Sequence, residues 1–276
     1  MRIGFWLNGA LAVIKVAGGL IAGSPSLLAD GYHSIGDVLT GGLGWLSYRW
    51  AQEPPDEDHH YGHGKYEALA AAAVGGVLVA TGAAVAWGAF EADPANYESS
   101  QTLIAVGAAL ASIIGNEVLV RVQGRAAKLT GSPTLAAMTK DSRSDSLTSM
   151  LVIVGVLGAA AGVSRLEPLA TLIIGLAVAA MGVESLRGGI HVLTDRVHDT
   201  GLRSRIEALA EAIPGVLGVQ SVSVHPLGTL VRVDMEISVQ GDLSVRKGHE
   251  IAHEVGKTVT RHEDDVVEVS VHVNPA

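Results

Sequence analysis

The chain has 276 residues, a mean hydropathy of +0.36, 48% hydrophobic residues and only 17% charged ones, which fits a polytopic membrane bundle with one small soluble domain. Its net charge of −9 excludes a nucleic-acid grip, which needs a basic face. The absence of cysteine excludes a disulfide framework, a thiolate site and an iron–sulfur cluster, so any metal must be held by imidazole and carboxylate.

The first apolar run, residues 3–22, reads as a retained span rather than a signal peptide. Lys15 interrupts it and is expected to turn into the bundle against a helix partner or a carbonyl, with a direct part in transport as the alternative. The turn G-S-P-S leads into a second span, roughly 26–48, with His33 and Asp37 at i and i+4 on one helical face. Asp37 falls about 18 Å along this helix, near the middle of a hydrocarbon slab of about 30 Å. A polar connector, residues 51–66, carries Asp56, His59, His60 and His63, and Gly62 and Gly64 let the backbone fold tightly around His63.

A third span is expected at about 67–91, a fourth at 101–120, a fifth at 137–162 and a sixth at 167–187, with residues 131–136 turning the chain between the fourth and fifth. The fifth carries Asp141 and Asp145, again at i and i+4, with Asp145 near mid-depth. Arg49, Lys65, Arg121, Arg125, Lys128 and Arg187 gather on one side of the membrane. The opposite loops hold mainly Glu91, Asp93, Glu98 and Glu167. The positive-inside rule makes the first side cytoplasmic, and six spans then place both termini there. The 34 glycines suit closely packed membrane helices.

Beyond residue 187 the pattern becomes helix, strand, strand, helix, strand. Val231, Val233, Met235, Ile237 and Val239 alternate with Arg232, Asp234 and Glu236. In the last strand Val267, Val269, Val271 and Val273 are expected inward, and Glu268, Ser270, His272 and Asn274 outward. The intervening helix turns Ile251, Val255 and Val259 to the core and leaves His249 and His253 on its polar side. The fold class is therefore a membrane all-α six-helix bundle, residues 1–187, plus a C-terminal α+β domain, residues 188–276, ferredoxin-like with the order α-β-β-α-β.

Three groups of residues can hold metal. His33, Asp37, Asp141 and Asp145 put three carboxylates and an imidazole at one depth, where mutual repulsion calls for a positive charge among them. One nitrogen and three oxygens suit Zn²⁺ and are tolerable for Mn²⁺ or Fe²⁺. The connector cluster reads equally as a metal site or a solvated loop. Asp234, His249 and His272 could converge on the open sheet face or at a dimer contact, or be ordinary surface groups; His253 could join them. His191, His198, His225 and His262 are read as surface or packing groups. No H-E-x-x-H, G-x-S-x-G or Walker-type motif occurs, so the chain is not expected to be an enzyme, and any pumping draws on ion gradients.

The stretches G-S-P-S-L-L-A-D-G-Y-H-S-I-G-D, H-H-Y-G-H-G-K-Y-E-A-L-A-A and D-S-R-S-D, with six spans and an α+β domain, resemble the cation diffusion facilitator family of metal cation/proton antiporters. The resemblance covers nearly the whole chain. It implies a transport site at His33, Asp37, Asp141 and Asp145, a connector site at Asp56, His59 and His63, and a cytoplasmic domain that forms homodimers and binds regulatory metal near Asp234, His249 and His272. It implies export of divalent cations from the cytoplasm against protons, across an inner or plasma-type lipid bilayer. Zinc is the first choice. The fifth span has D-x-x-x-D where zinc-selective members often have H-x-x-x-D, so iron, manganese, cobalt and cadmium stay open. A non-transporting sensor or scaffold, and a membrane-embedded metalloenzyme, are the rival readings.

Overall fold

The computed structural model describes residues 2–92, 97–130, 133–197, 199–228 and 230–276. Asp93, counted above among the loop acids, and His198 lie outside the described residues, as do residues 131–132 of the expected turn. The element order is α1 (Arg2–Ala22), α2 (Pro25–Ala51), α3 (Lys65–Glu91), α4 (Ser99–Thr130), α5 (Pro133–Ala160), α6 (Leu166–Leu193), α7 (Leu202–Glu211), β1 (Gly218–Leu227), β2 (Leu230–Val239), α8 (Val245–His262) and β3 (Val266–Pro275). The chain divides into two compact units, Met1–Gly44 with Ala73–Leu186, and Trp45–Ala72 with Arg187–Ala276.

In the first unit, α1 ends at a glycine that a proline soon follows. Gly23 adopts φ 64°, and the Ser24 N–H returns to the Gly19 carbonyl at 2.9 Å, closing the last turn. Pro25 then opens α2, and the Ser24 hydroxyl accepts from the Leu27 N–H, capping it. α1, α3, α4, α5 and α6 contain stretches long and apolar enough to cross a membrane. α2 is as long as α3, at 27 residues, but Asp30, His33 and Asp37 lower its hydropathy. α4 has 32 residues, about 48 Å, and so outruns the expected span 101–120. The expected turn also shrinks, because α5 already starts at Pro133.

The packing of this unit is small inside and large outside. Ala29, Ala105, Ala109, Val152, Val156 and Ile174 are in its core, whereas Trp6, Leu20, Trp87, Phe90 and Leu103 are exposed, the arrangement of a surface solvated by lipid rather than water. α3 and α6 meet along a seam of glycines seven residues apart. A Cβ on Gly75 would collide with the backbone of Gly182 and Leu186, and one on Gly82 with Gly175 and Ala179. The backbones approach closely because no side chain separates them.

Glu167 corrects the loop reading. It is fully buried, and its Oε1 accepts from the Ser24 hydroxyl at 2.7 Å, the Ser26 hydroxyl at 2.8 Å and the Ser26 N–H at 3.1 Å. Three donors from Ser24 and Ser26 replace the water around its Oε1.

The second unit carries the three-stranded sheet in the order β1-β2-β3, with β1 antiparallel and β3 parallel to β2. Gly228, at φ 80°, lies between β1 and β2, and α8 returns the chain to form β3. Leu202 and Ile206 from α7 and Ile251, Val255 and Val259 from α8 pack on Val233 and Ile237, giving the ferredoxin-like α+β domain expected. The inward set of β3 needs one correction. Val231 pairs with Val266 but Arg232 pairs with Glu268, so Val267 is an extra residue. That bulge resets the alternation: Val266 is buried and Val267 is half exposed.

Candidate metal site

α2 and α5 face each other across two rungs. His33 Nε2 lies 3.0 Å from Asp145 Oδ1. One turn away, the Ser149 hydroxyl donates to Asp30 Oδ2 at 2.7 Å. The steps are −3 on α2 and +4 on α5, as antiparallel helices require. His33, Asp37 and Asp145 each offer a ligand atom within 4.8 Å of the others. Asp141 sits one turn before Asp145, is exposed, and is not in that group. Among the described residues His33 Nδ1 is buried without a hydrogen-bond partner, and it is a nitrogen that can ligate.

The connector folds on itself as a second group. Asp56 Oδ1 accepts from the N–H of His59 at 2.6 Å and of Asp58 at 3.0 Å. These backbone donors, His59 foremost, hold the Asp56 carboxyl below the usual carboxylate range. His59 Nδ1 is 3.2 Å from Asp56 Oδ1 and His63 Nε2 is 3.3 Å from Oδ2. Gly62, at φ 77°, turns the chain so that its N–H reaches the His59 carbonyl and the two imidazoles come within 4.3 Å, centroid to centroid. Asp56, His59 and His63 thus each offer a ligand atom within 4.8 Å of the others. His63 is nearly buried and its ring stacks on Tyr66.

In the α+β domain the three expected residues fall on two layers. Asp234 and His272 are on the outer face of the sheet, where His272 pairs with Glu236. His249 is exposed on α8, which covers the inner face, and its ring lies parallel to that of His253 at 6.2 Å. Among the described residues these three do not form a group within ligand distance. His225, read above as a surface or packing group, is partly exposed and has its Nε2 3.4 Å from Asp234 Oδ2 and its Nδ1 3.7 Å from Asp195 Oδ2. Extending the alternation of β2 across the hairpin would have revealed it, since His225 pairs with Arg232 and shares the face of Asp234. His59, His63, Asp195, His225 and Asp234 line one cavity of about 500 Å³ in this unit, where Lys65 Nζ also meets Asp195 Oδ1 at 3.0 Å. His191 contacts Arg196, and His262 Nδ1 meets the Thr258 carbonyl.

Residues 1–194 match the family model described as the cation efflux transmembrane domain, and residues 199–276 the one described as the cation efflux protein cytoplasmic domain. Metal tolerance protein C1 of Arabidopsis thaliana is 31% identical over 290 residues, a match that takes in 100% of this chain but only 62% of the plant protein. The uncharacterized transporter YdbO of Bacillus subtilis (strain 168) is 31% identical across 96% of this chain and 91% of its own length. The manganese efflux system protein MneP of the same organism is 30% identical across 95% and 90%. A solved structure, MamM-CTD 215-293, is 28% identical and covers 29% of this chain and 100% of that one, with a TM-score of 0.28.

Proposed function

Because this chain belongs to the cation efflux family, membrane transporters rather than enzymes, we propose that it exports divalent metal cations from the cytoplasm in exchange for protons. The observation that carries this reading is the convergence of His33, Asp37 and Asp145, from two helices, within 4.8 Å of one another. Asp141, one turn along α5, completes the quartet as the site changes its access. A ligand must be deprotonated to bind metal, so metal entering the quartet releases protons, and protons entering it release metal. His33 is the coupling group, because an imidazole titrates in the working range of pH. Rocking of helices about a fixed mid-membrane site then gives alternating access.

Zinc is the first substrate proposed, on the imidazole and the tetrahedral set. Manganese is the second: the carboxylates outnumber the imidazole, and MneP is by name a manganese efflux protein. Iron, cobalt and cadmium complete the panel. Residues 1–187 form the transport domain and residues 188–276 a cytoplasmic domain through which two copies pair, with both termini in the cytoplasm of a cell bounded by an inner or plasma-type membrane. Asp56, His59 and His63 bind a second ion. Asp234, His249 and His272 form a regulatory set that is completed only when a partner protomer supplies the missing layer. The test is flux in reconstituted vesicles across Zn²⁺, Mn²⁺, Fe²⁺, Co²⁺ and Cd²⁺, with proton movement followed in parallel. Metal-driven proton flux that Asp145→Ala abolishes supports the reading; near-normal flux in that variant defeats it.

A further inference from the structure

One turn from the proposed ion site lies a buried ion pair for which transport chemistry has given no role. Lys15 is 1% exposed and Asp30 is 0% exposed. The Lys15 ammonium donates to Asp30 Oδ1 at 2.9 Å and to the Ser34 hydroxyl at 2.9 Å. The Ser149 hydroxyl donates to the other oxygen, Oδ2, at 2.7 Å, and lies 3.1 Å from the hydroxyl of Ser112. Lys15 of α1 and Ser149 of α5 therefore engage both oxygens of this α2 carboxylate, with Ser112 of α4 behind Ser149.

The placement of Asp30 makes that engagement consequential. It precedes His33 by three residues and Asp37 by seven, so it stands on the ligand face of α2. Its neighbour Ser149 follows Asp145 by four residues and stands on the ligand face of α5. A carboxylate there is a ready oxygen ligand, yet it is absent from the convergent group of His33, Asp37 and Asp145. We propose that Lys15 is a specificity-determining positioning residue: by holding Asp30 it withholds a further carboxylate from the transported ion. The inference rests on reading His33, Asp37 and Asp145 as the ion site. Withholding the carboxylate keeps the set small, so that its one imidazole counts for more, as suits Zn²⁺. Releasing it adds a hard oxygen and a negative charge, which favours Mn²⁺. The lysine suits the task because a buried ammonium is stable only while its partner stays.

The test measures equilibrium binding of Zn²⁺ and of Mn²⁺ to purified full-length protein by titration calorimetry, reading the ratio of the two dissociation constants. Lys15→Met should move that ratio toward Mn²⁺ by about tenfold. Lys15→Arg, which keeps a buried cation on Asp30, should stay near the wild-type ratio. The double variant Lys15→Met with Asp30→Asn should also return to it, because the freed carboxylate has gone. An unchanged ratio in folded K15M, or a shift that persists in the double variant, overturns the proposal. If K15M does not fold, Ser149→Ala takes its place, since it frees Asp30 Oδ2 alone; a smaller shift toward Mn²⁺ supports the proposal and an unchanged ratio overturns it. Asp145→Ala separates the two levels. Undiminished binding there defeats the ion-site reading and this inference with it, whereas lost binding beside an unchanged K15M ratio defeats this inference alone.

Discussion

Asp145 Oδ1 lies 3.0 Å from His33 Nε2, although 112 residues separate the two in the chain. With Asp37 they gather more anionic charge than one imidazole can balance, which is the electrostatic demand a divalent cation meets. Asp145→Asn keeps the volume and removes the charge. It should weaken Zn²⁺ binding by at least about 100-fold while the helical circular dichroism signal is unchanged, since loss of a ligand exceeds the 10–100-fold cost of losing a ligand's support. Calorimetry on detergent-solubilised protein checks it.

The connector makes a separable prediction. Asp56, His59 and His63 converge without any residue of the α2–α5 group. His63→Ala should therefore lower the number of tightly bound Zn²⁺ ions by one per chain and leave metal flux measurable. Equilibrium dialysis followed by elemental analysis counts the ions, and vesicle uptake reports the flux.

The glycine seam between α3 and α6 predicts intolerance of any side chain. Gly182→Leu must push apart backbones that meet at Gly75 and Val79. Overpacking of this kind costs about 1–3 kcal/mol or more. A lowered melting temperature by intrinsic fluorescence, with Gly188→Leu as the control facing open space, is the measurement.

Arg205 ties α7 to its neighbours and supplies a pH signature. Its guanidinium donates to Asp199 Oδ2 and to both oxygens of Glu263, at 2.8–2.9 Å, and holds both carboxyls below their usual range. A depressed carboxyl stabilises the fold above the unfolded pKa of about 4 and loses that contribution as pH falls through the folded value. Arg205→Met should therefore destabilise the protein at pH 7, with the difference from wild type shrinking steadily below about pH 4. Urea midpoints measured from pH 7 to pH 3 test the sign.

The β-bulge separates two adjacent valines. Val266→Ala should cost about 1–3 kcal/mol, because Val266 is in the core, while Val267→Thr should fall within about 0.5 kcal/mol of wild type. Denaturant titration of the two variants distinguishes the bulge from a regular strand.

The comparison of these two valines shows where one-dimensional reading stops. Alternation located every inward residue of β2, because that strand is regular throughout. It misassigned Val267 because one inserted residue, invisible in hydropathy, reverses the faces. Glu167 was misplaced for a related reason. Its position between two apolar runs suggested a loop, and only the three donors brought to it by the Ser24–Ser26 turn explain its burial. The nearness of His225 to Asp234 could not be read from its neighbours in sequence, because it depends on hairpin register.

By itself, the sequence determined the long apolar helices, the change to an α-β-β-α-β domain and the pairing of His33 with Asp37 and of Asp141 with Asp145, since all follow from local periodicity and from the cost of charge in an apolar run. Only the tertiary structure decided that Asp145 rather than Asp141 meets His33, and that Lys15 reaches Asp30. Which turn of one helix faces which turn of another is set by how closely the backbones approach and by the crossing of antiparallel helices, a property of packed surfaces that no single segment carries.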